Sequence, residues 1–232
     1  MITTRMKTLL LWDIDGTLIV SARAGERALV VALRTAFGVE TPNLDGIEMA
    51  GRTDRWIARS VFRQFGLADT EENLTRYLEA YLVALPAELA RKRGHVLPGV
   101  AEILAATDRR SDIANGLLTG NLQRGAERKL THYGLWSHFA FGAFADDSEW
   151  RDELGPHAVR RACAHYEVEF ATHRVWVIGD TPYDIACGKA IDAKTIGVAT
   201  GRYSVAELQA CEPTAAFADL ADTAAFFRLI EA

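Results

Sequence analysis

Three short polar groups hold the residue types that do chemistry: Asp13-Ile14-Asp15-Gly16-Thr17, Thr119-Gly120-Asn121, and Gly179-Asp180 with Asp184 four residues on. Each follows an apolar run that reads as a strand. Asp13 and Asp15 are two apart, which in an extended segment puts both side chains on one face. Carboxylates gathered this closely from two strand ends repel one another unless a cation sits among them. Oxygen-only ligands select a hard cation such as Mg²⁺ and disfavour zinc. Singly, these groups are ordinary turn and cap chemistry, and Pro182 suits a first helical position. Their joint occurrence points to one site, because ligands of open α/β sheets bind outside the carboxyl ends of the strands.

The elements that must position these groups follow from apolar spacing. Thr8 to Trp12 reads as a strand buried on both faces, as in a parallel sheet. The opening Met1–Lys7 has positive charge but no apolar region leading to a small-residue cleavage site, so it is not read as a signal peptide. Helical spacing runs from Ala22 to Phe37 and from Asp54 to Phe65, and Thr70-Glu71-Glu72 opens a long amphipathic stretch that Pro86 is expected to kink or divide. Residues 21 to about 93 thus read as helices only. After Leu97-Pro98-Gly99, strands near 115–118, 174–178 and 195–198 alternate with helices at 100–106, 122–133, 157–166, 183–191 and 205–211, with a short apolar piece at 139–144. That alternation predicts an α/β fold, a parallel sheet flanked by helices, built from residues 1–20 and 96–232 with an all-helical insertion at 21–95.

Composition sets the limits. The chain has 232 residues, 49% hydrophobic and 25% charged, with a formal charge of −5. Disorder, collagen-like repeats and a disulfide scaffold are excluded. An acidic balance argues against a general nucleic-acid binder. No apolar run approaches the roughly 18 residues that a membrane span needs. Cys163, Cys187 and Cys211 are scattered and read as small buried hydrophobes. A cytoplasmic protein with no nucleic-acid or membrane partner is expected, and oligomeric state leaves no signature in the sequence.

In order along the chain, Asp13-Ile14-Asp15-Gly16-Thr17-Leu18, Leu118-Thr119-Gly120-Asn121 and Gly179-Asp180-Thr181-Pro182-Tyr183-Asp184 resemble the motifs of the haloacid dehalogenase-like hydrolase superfamily, and within it the phosphoglycolate phosphatase-like phosphatases. The resemblance implies a Rossmann-like core, with the insertion as a helical cap domain. It also implies a Mg²⁺-dependent phosphatase acting on a small phosphorylated metabolite. Asp13 would be the nucleophile that forms an aspartyl-phosphate. Asp15 would protonate the leaving oxygen and then activate water. The metal would be held by Asp13, the main-chain carbonyl of Asp15 and Asp180. Thr119, with the backbone N–H groups of Gly120 and Asn121, would bind phosphate oxygens. Asp184 would support the metal's waters or orient the basic residue.

That basic residue departs from the family pattern. Where a lysine is usual, this chain has Arg151, which stays charged and can also hold phosphate. Arg128 and Lys129 are read as solvated charges on a helix. In the cap, Arg52 of Gly51-Arg52-Thr53-Asp54 is expected to meet a second anionic group of the substrate, and Asp54 to cap or support its helix. No lysine lies between Lys7 and Lys92, and no histidine before His95. Phosphonate-cleaving relatives and sugar-phosphate mutases use such cap residues, so both are disfavoured. A phosphomutase nevertheless stands as the alternative, and a non-catalytic phospho-ligand binder as the third reading. The arginines of 21–91, balanced by acids, are read mostly as solvated helix faces, and Trp12, Trp136, Trp150 and Trp176 as core.

Overall fold

The computed structural model describes residues 8–91 and 94–232, so the Met1–Lys7 segment and Lys92–Arg93 of the insertion lie outside the described residues. Strand β1 (Thr8–Trp12) is buried along its whole length, as its unbroken apolar run requires. It pairs in parallel with β4 (Ile113–Leu118) on one side and β6 (Val175–Gly179) on the other, Leu10 lying opposite both Asn115 and Trp176. With β5 (Gly142–Ala143), β7 (Lys194–Val198) and β8 (Ala215–Phe217) they form a six-stranded sheet in the order β5-β4-β1-β6-β7-β8.

The two-residue period of the strands sorts their side chains onto two faces. Leu10, Trp12, Trp176 and Ile178 face α4 (Val100–Thr107), α5 (Gln123–His132) and α9 (Thr223–Glu231). Leu9, Leu11, Val175 and Val177 face α6 (Leu154–Tyr166) and Cys187 of α7 (Pro182–Lys189). The remaining helix, α8 (Val205–Gln209), packs beside β7 and β8. This is a three-layer α/β fold, as the alternation predicts. Trp12 stacks on Phe226, and its indole N–H donates to Asn115 Oδ1 at 3.1 Å, so this buried side chain keeps its polar atom satisfied.

Between β2 (Ile19–Val20) and β3 (His95–Val96), which pair antiparallel as a short ribbon, the chain forms α1 (Ala24–Phe37), α2 (Asp54–Phe65) and α3 (Glu71–Arg91). These helices bury a separate apolar cluster, to which the rest of the chain adds Leu122 and Ala145. α3 runs through Pro86 as one continuous helix, so the proline does not divide it. Burial of Tyr81, Leu82, Leu85 and Leu89 holds the turns around the proline together. Phe62 is fully buried between Phe37 and Tyr77, with ring centroids 5.7 and 5.6 Å away. Phe62→Ala should cost about 3–5 kcal/mol in denaturant unfolding. A loss below about 1 kcal/mol would mean that this cluster melts apart from the cooperative transition.

Two expectations about burial fail. Trp150 is 53% exposed, because it lies in a loop ahead of a short 3₁₀ turn and not on an element facing the core. Trp136 is only half-buried, whereas Trp12 and Trp176 are core. Of the cysteines, Cys187 is buried but Cys163 of α6 and Cys211, in the turn after α8, are partly exposed. Among the described residues, no helix is long and apolar enough to cross a membrane.

Candidate active site

The loops after β1, β4 and β6 meet at one end of the sheet. Asp13 directly follows β1, where its N–H donates to Ile178 O at 2.9 Å and locks the loop to the neighbouring strand. Asp180 follows β6 in a slot between two glycines. A Cβ on Gly16 would lie 2.4 Å from Asp180 Oδ2, and one on Gly201 only 1.7 Å from it. Only glycine leaves room for that carboxylate, and Gly16 also takes a positive φ of +89°. Asp184 closes the motif as a capping box, its Oδ2 accepting from Thr181 N and Thr181 Oγ1 at 3.0 and 2.7 Å.

Asp13, Asp180 and Asp184 each offer a buried oxygen, all within 4.8 Å of one another. Burial, Asp184 and Asp15 push the carboxyl of Asp13 up against the pull of Arg151, and burial with Asp13 and Asp184 pushes Asp180 well above the usual carboxylate range. A cation would relieve that repulsion, and an all-oxygen donor set suits a hard divalent ion. The side chain of Asp15 is not part of this cluster.

Arg151, carried by a 3₁₀ turn, is 8% exposed. One nitrogen, Nη2, donates to Asp13 Oδ1 at 2.8 Å and to Asp184 Oδ1, with a longer contact to Leu118 O at 3.4 Å. Its buried Nε has no partner among the described residues. Arg151 thus lies against Asp13, with Asp184 accepting from the same nitrogen.

Thr119 and Gly120 follow β4. Thr119 has no exposed surface, and its Oγ1 accepts from Asn121 Nδ2 at 2.9 Å. Lys129 overturns its expected place as a solvated charge. It is 4% exposed, and its Nζ donates to Asp15 Oδ2 at 2.5 Å and to Asn121 Oδ1 at 2.6 Å. Burial alone would lower the lysine pKa, but Asp15, Tyr81 and Asp54 together hold it above its ordinary value. Burial likewise opposes ionisation of Asp15, yet Lys129, Asn121 and Ser21 hold its carboxyl below the usual range. A sequence signal existed: Lys129 shares one face of α5 with Gly125, Ala126 and Leu130, all buried. Arg128, one residue round the helix, is half-buried.

The inserted helices cover these loops. A Cβ on Gly120 would lie 2.3 Å from Arg52 O, and one on Gly51 2.4 Å from the Tyr183 ring, so backbone meets backbone at Gly120 and a side chain at Gly51. The guanidinium of Arg52 sits 4.3 Å from the ring centroids of both Trp56 and Tyr183. It also pairs with Glu48 at 2.6 Å, and Tyr183 OH donates to the same carboxylate at 3.0 Å. Arg52 therefore already has three partners. Asp54 does not cap its own helix. Thr53 does, accepting from Trp56 N, while Asp54 Oδ2 accepts from Leu122 N at 2.8 Å at the start of α5. Burial pushes the Asp54 carboxyl up to about 6. Other arginines of the insertion are partly buried pairs and not free surface charges: Arg27 with Glu88, and Arg59 with Glu149 of the core.

Asp13, Asp15, Asp180, Gly120, Asn121 and Arg151 line a cavity of about 370 Å³. Its insert-side wall is partly apolar, with Leu29, Met49 and Ile57 beside Arg52, Asp54 and Tyr81. That volume is in the range of sites for small ligands.

An α/β core with acidic and cationic side chains gathered at its strand ends, under inserted helices, is the class that fold and site define. The chain belongs to the haloacid dehalogenase-like hydrolase family, whose sequence profile matches residues 10–189. It is similar to a protein of Dickeya dadantii named probable phosphatase IndB, with 27% identity over 90% of this chain and 88% of that protein. It is also similar to glycerol-1-phosphate phosphohydrolase 2 of Saccharomyces cerevisiae, with 25% identity over 82% of this chain and 74% of the yeast protein. Its fold matches that of CbbY from Rhodobacter sphaeroides, solved in complex with phosphate, with a TM-score of 0.72 at 18% identity over 94% and 96% of the two chains.

Proposed function

We propose that the protein is a phosphatase that transfers the phosphoryl group of a small phosphate monoester to Asp13 and then to water. The observation that carries this reading is the buried carboxylate of Asp13, held by Arg151 at 2.8 Å and facing a closed acidic cluster on the cavity wall. A carboxylate so placed has no evident packing role, and burying its charge is costly even beside an arginine, which favours a chemical role for it. The curated relatives named as phosphatases support the same chemistry.

In the proposed course, an oxygen of Asp13 attacks phosphorus, the bond from phosphorus to the leaving oxygen breaks, and Asp15 gives that oxygen its proton. A neighbouring anionic phosphate favours the protonated form of Asp15, which carries the proton in. Asp15 then takes a proton from water as it attacks phosphorus, freeing Asp13 and inorganic phosphate. Arg151, whose Nε is unpaired among the described residues, and the backbone of Gly120 and Asn121 would hold the phosphate oxygens, with Thr119 fixing the loop. The carboxylates of Asp13 and Asp180 with the main-chain carbonyl of Asp15 fit Mg²⁺, which when bound would offset the repulsion between carboxylate and phosphate. In this reading residues 21–95 work as a cap over a core of 1–20 and 96–232, in the cytoplasm.

The test is phosphate release from p-nitrophenyl phosphate and a panel of phosphorylated metabolites. We expect chelation with EDTA to lower the rate at least about 100-fold and added Mg²⁺ to restore it. A rate that ignores EDTA sinks the metal assignment. A product that keeps its phosphate at a new position replaces the phosphatase by a mutase.

A further inference from the structure

Two buried cations face the two aspartates of the first motif, of which Asp13 is buried and Asp15 is partly exposed. Arg151 holds Asp13, and Lys129 holds Asp15. The first pair belongs to the motifs, but nothing in the motifs requires the second. Lys129 comes from the middle of α5, with its side chain 5% exposed. A buried ammonium is costly unless it is paired and hydrogen-bonded, so a lysine here needs a reason.

The geometry around it is a closed triangle. Lys129 Nζ donates to Asp15 Oδ2 and to Asn121 Oδ1, and Asn121 Nδ2 donates to the same Asp15 Oδ2 at 3.1 Å. Ser21 Oγ donates to Asp15 Oδ1 at 2.9 Å. Oδ2 is therefore fixed by two donors, whereas Oδ1 meets one rotatable hydroxyl. Oδ1 is the oxygen left free to exchange a proton. The inserted helices close on the same point. A Cβ on Gly25 of α1 would lie 3.6 Å from Lys129 Nζ and 3.8 Å from the hydroxyl of Tyr81 on α3. A Cβ on Gly125 would lie 3.7 Å from that hydroxyl and 3.8 Å from Asp54 Oδ2 on α2. The ammonium thus sits where the β1 loop, the loop after β4 and all three inserted helices come together.

We infer that Lys129 is a positioning residue for the reaction, which holds Oδ2 of Asp15 so that Oδ1 is presented to the leaving oxygen. The inference rests on the reading of Asp13 and Asp15 given above. Lys129 does not touch the reacting atoms; it acts through Asp15, and the closed position of the inserted helices packs around it.

A positioned acid matters most when the leaving group is a poor one. The experiment measures phosphorylation of the enzyme in single turnovers with 4-nitrophenyl, phenyl and benzyl phosphate, whose leaving oxygens are increasingly basic. For Lys129→Met we expect a loss of about 10-fold or less on 4-nitrophenyl phosphate, rising to about 100-fold or more on benzyl phosphate. KM should stay within about 3-fold of the wild type. The same steepening is expected for Lys129→Gln, which keeps a donor for Asn121 should the Met variant fail to fold, and Lys129→Arg should recover part of the loss. An equal loss on all three esters would reduce Lys129 to a structural ion pair and overturn the inference. A raised KM with an unchanged single-turnover rate would overturn it too, making Lys129 a direct phosphate contact. Asp15→Asn, run alongside, separates the two levels. If it steepens the series while the Lys129 variants do not, the inference alone falls; if it leaves the series flat, the acid role of Asp15 falls.

Discussion

Asp13→Asn abolishes turnover, by at least about 10⁴-fold, and no phosphate becomes attached to the protein. The change alters a single atom, so the carboxamide keeps the shape of the site and loses only the nucleophilic charge. Stability should move the other way. A carboxyl whose folded-state pKa is raised costs stability as the pH climbs above the ordinary carboxyl range, because ionisation is easier in the unfolded chain. Asp13 is such a group, pushed up by burial and by Asp184 and Asp15 in spite of Arg151. In EDTA at pH 7, the Asn variant should therefore melt no lower than the wild type. Equal hydrolysis of p-nitrophenyl phosphate by both proteins would remove Asp13 from the mechanism, and a large fall in Tm would mean that its charge is structural.

Arg151→Met should harm both properties. It leaves Asp13 and Asp184 buried without their cation, a situation that costs about 3–5 kcal/mol, or about 10 °C in Tm for a chain of this size. Activity should fall at least about 100-fold, because the phosphate then approaches uncompensated carboxylates. Arg151→Lys should differ sharply from it. One nitrogen, Nη2, makes both carboxylate contacts, so a single ammonium can stand in its place. Most of the stability and activity within about 10-fold of the wild type should return. If Arg151→Met keeps its activity and its Tm, the cation that serves the nucleophile is not Arg151.

Legibility followed the range of the signal. Asp13, Asp180, Asp184 and Arg151 were readable because strand-end motifs and a fixed spacing place them, and they do come together in one cluster. The parallel sheet was readable from apolar runs such as Leu9-Leu10-Leu11-Trp12. The ribbon of Ile19–Val20 with His95–Val96 was not, since two residues carry no period. β8 and α9 were not read from the sequence either. Lys129 was misjudged because a charge on a helix is usually solvated, although Gly125, Ala126 and Leu130 mark its face of α5 as the inward one. Arg52 shows a limit. Its type and place suggested an anion, but whether it meets Glu48, Trp56 and Tyr183 depends on side-chain directions that spacing does not encode.

The route by which the chain reaches this sheet bears on how it is made. Trp12 and Asn115 hydrogen-bond across 103 residues of sequence, so the strand that leads into Asp13 is synthesised long before either neighbour exists. Until then its four large apolar side chains have no sheet to enter. Closing so long a loop as open chain carries an entropy cost that only later contacts repay. The intervening helices need no such wait, since α1 and α3 find each other within the insertion. Once they fold, the β2–β3 ribbon brings the two ends of the excursion side by side, and the loop still to be closed is short. The inserted segment would thus double as a staple for assembly, shortening the time that an apolar central strand spends uncovered.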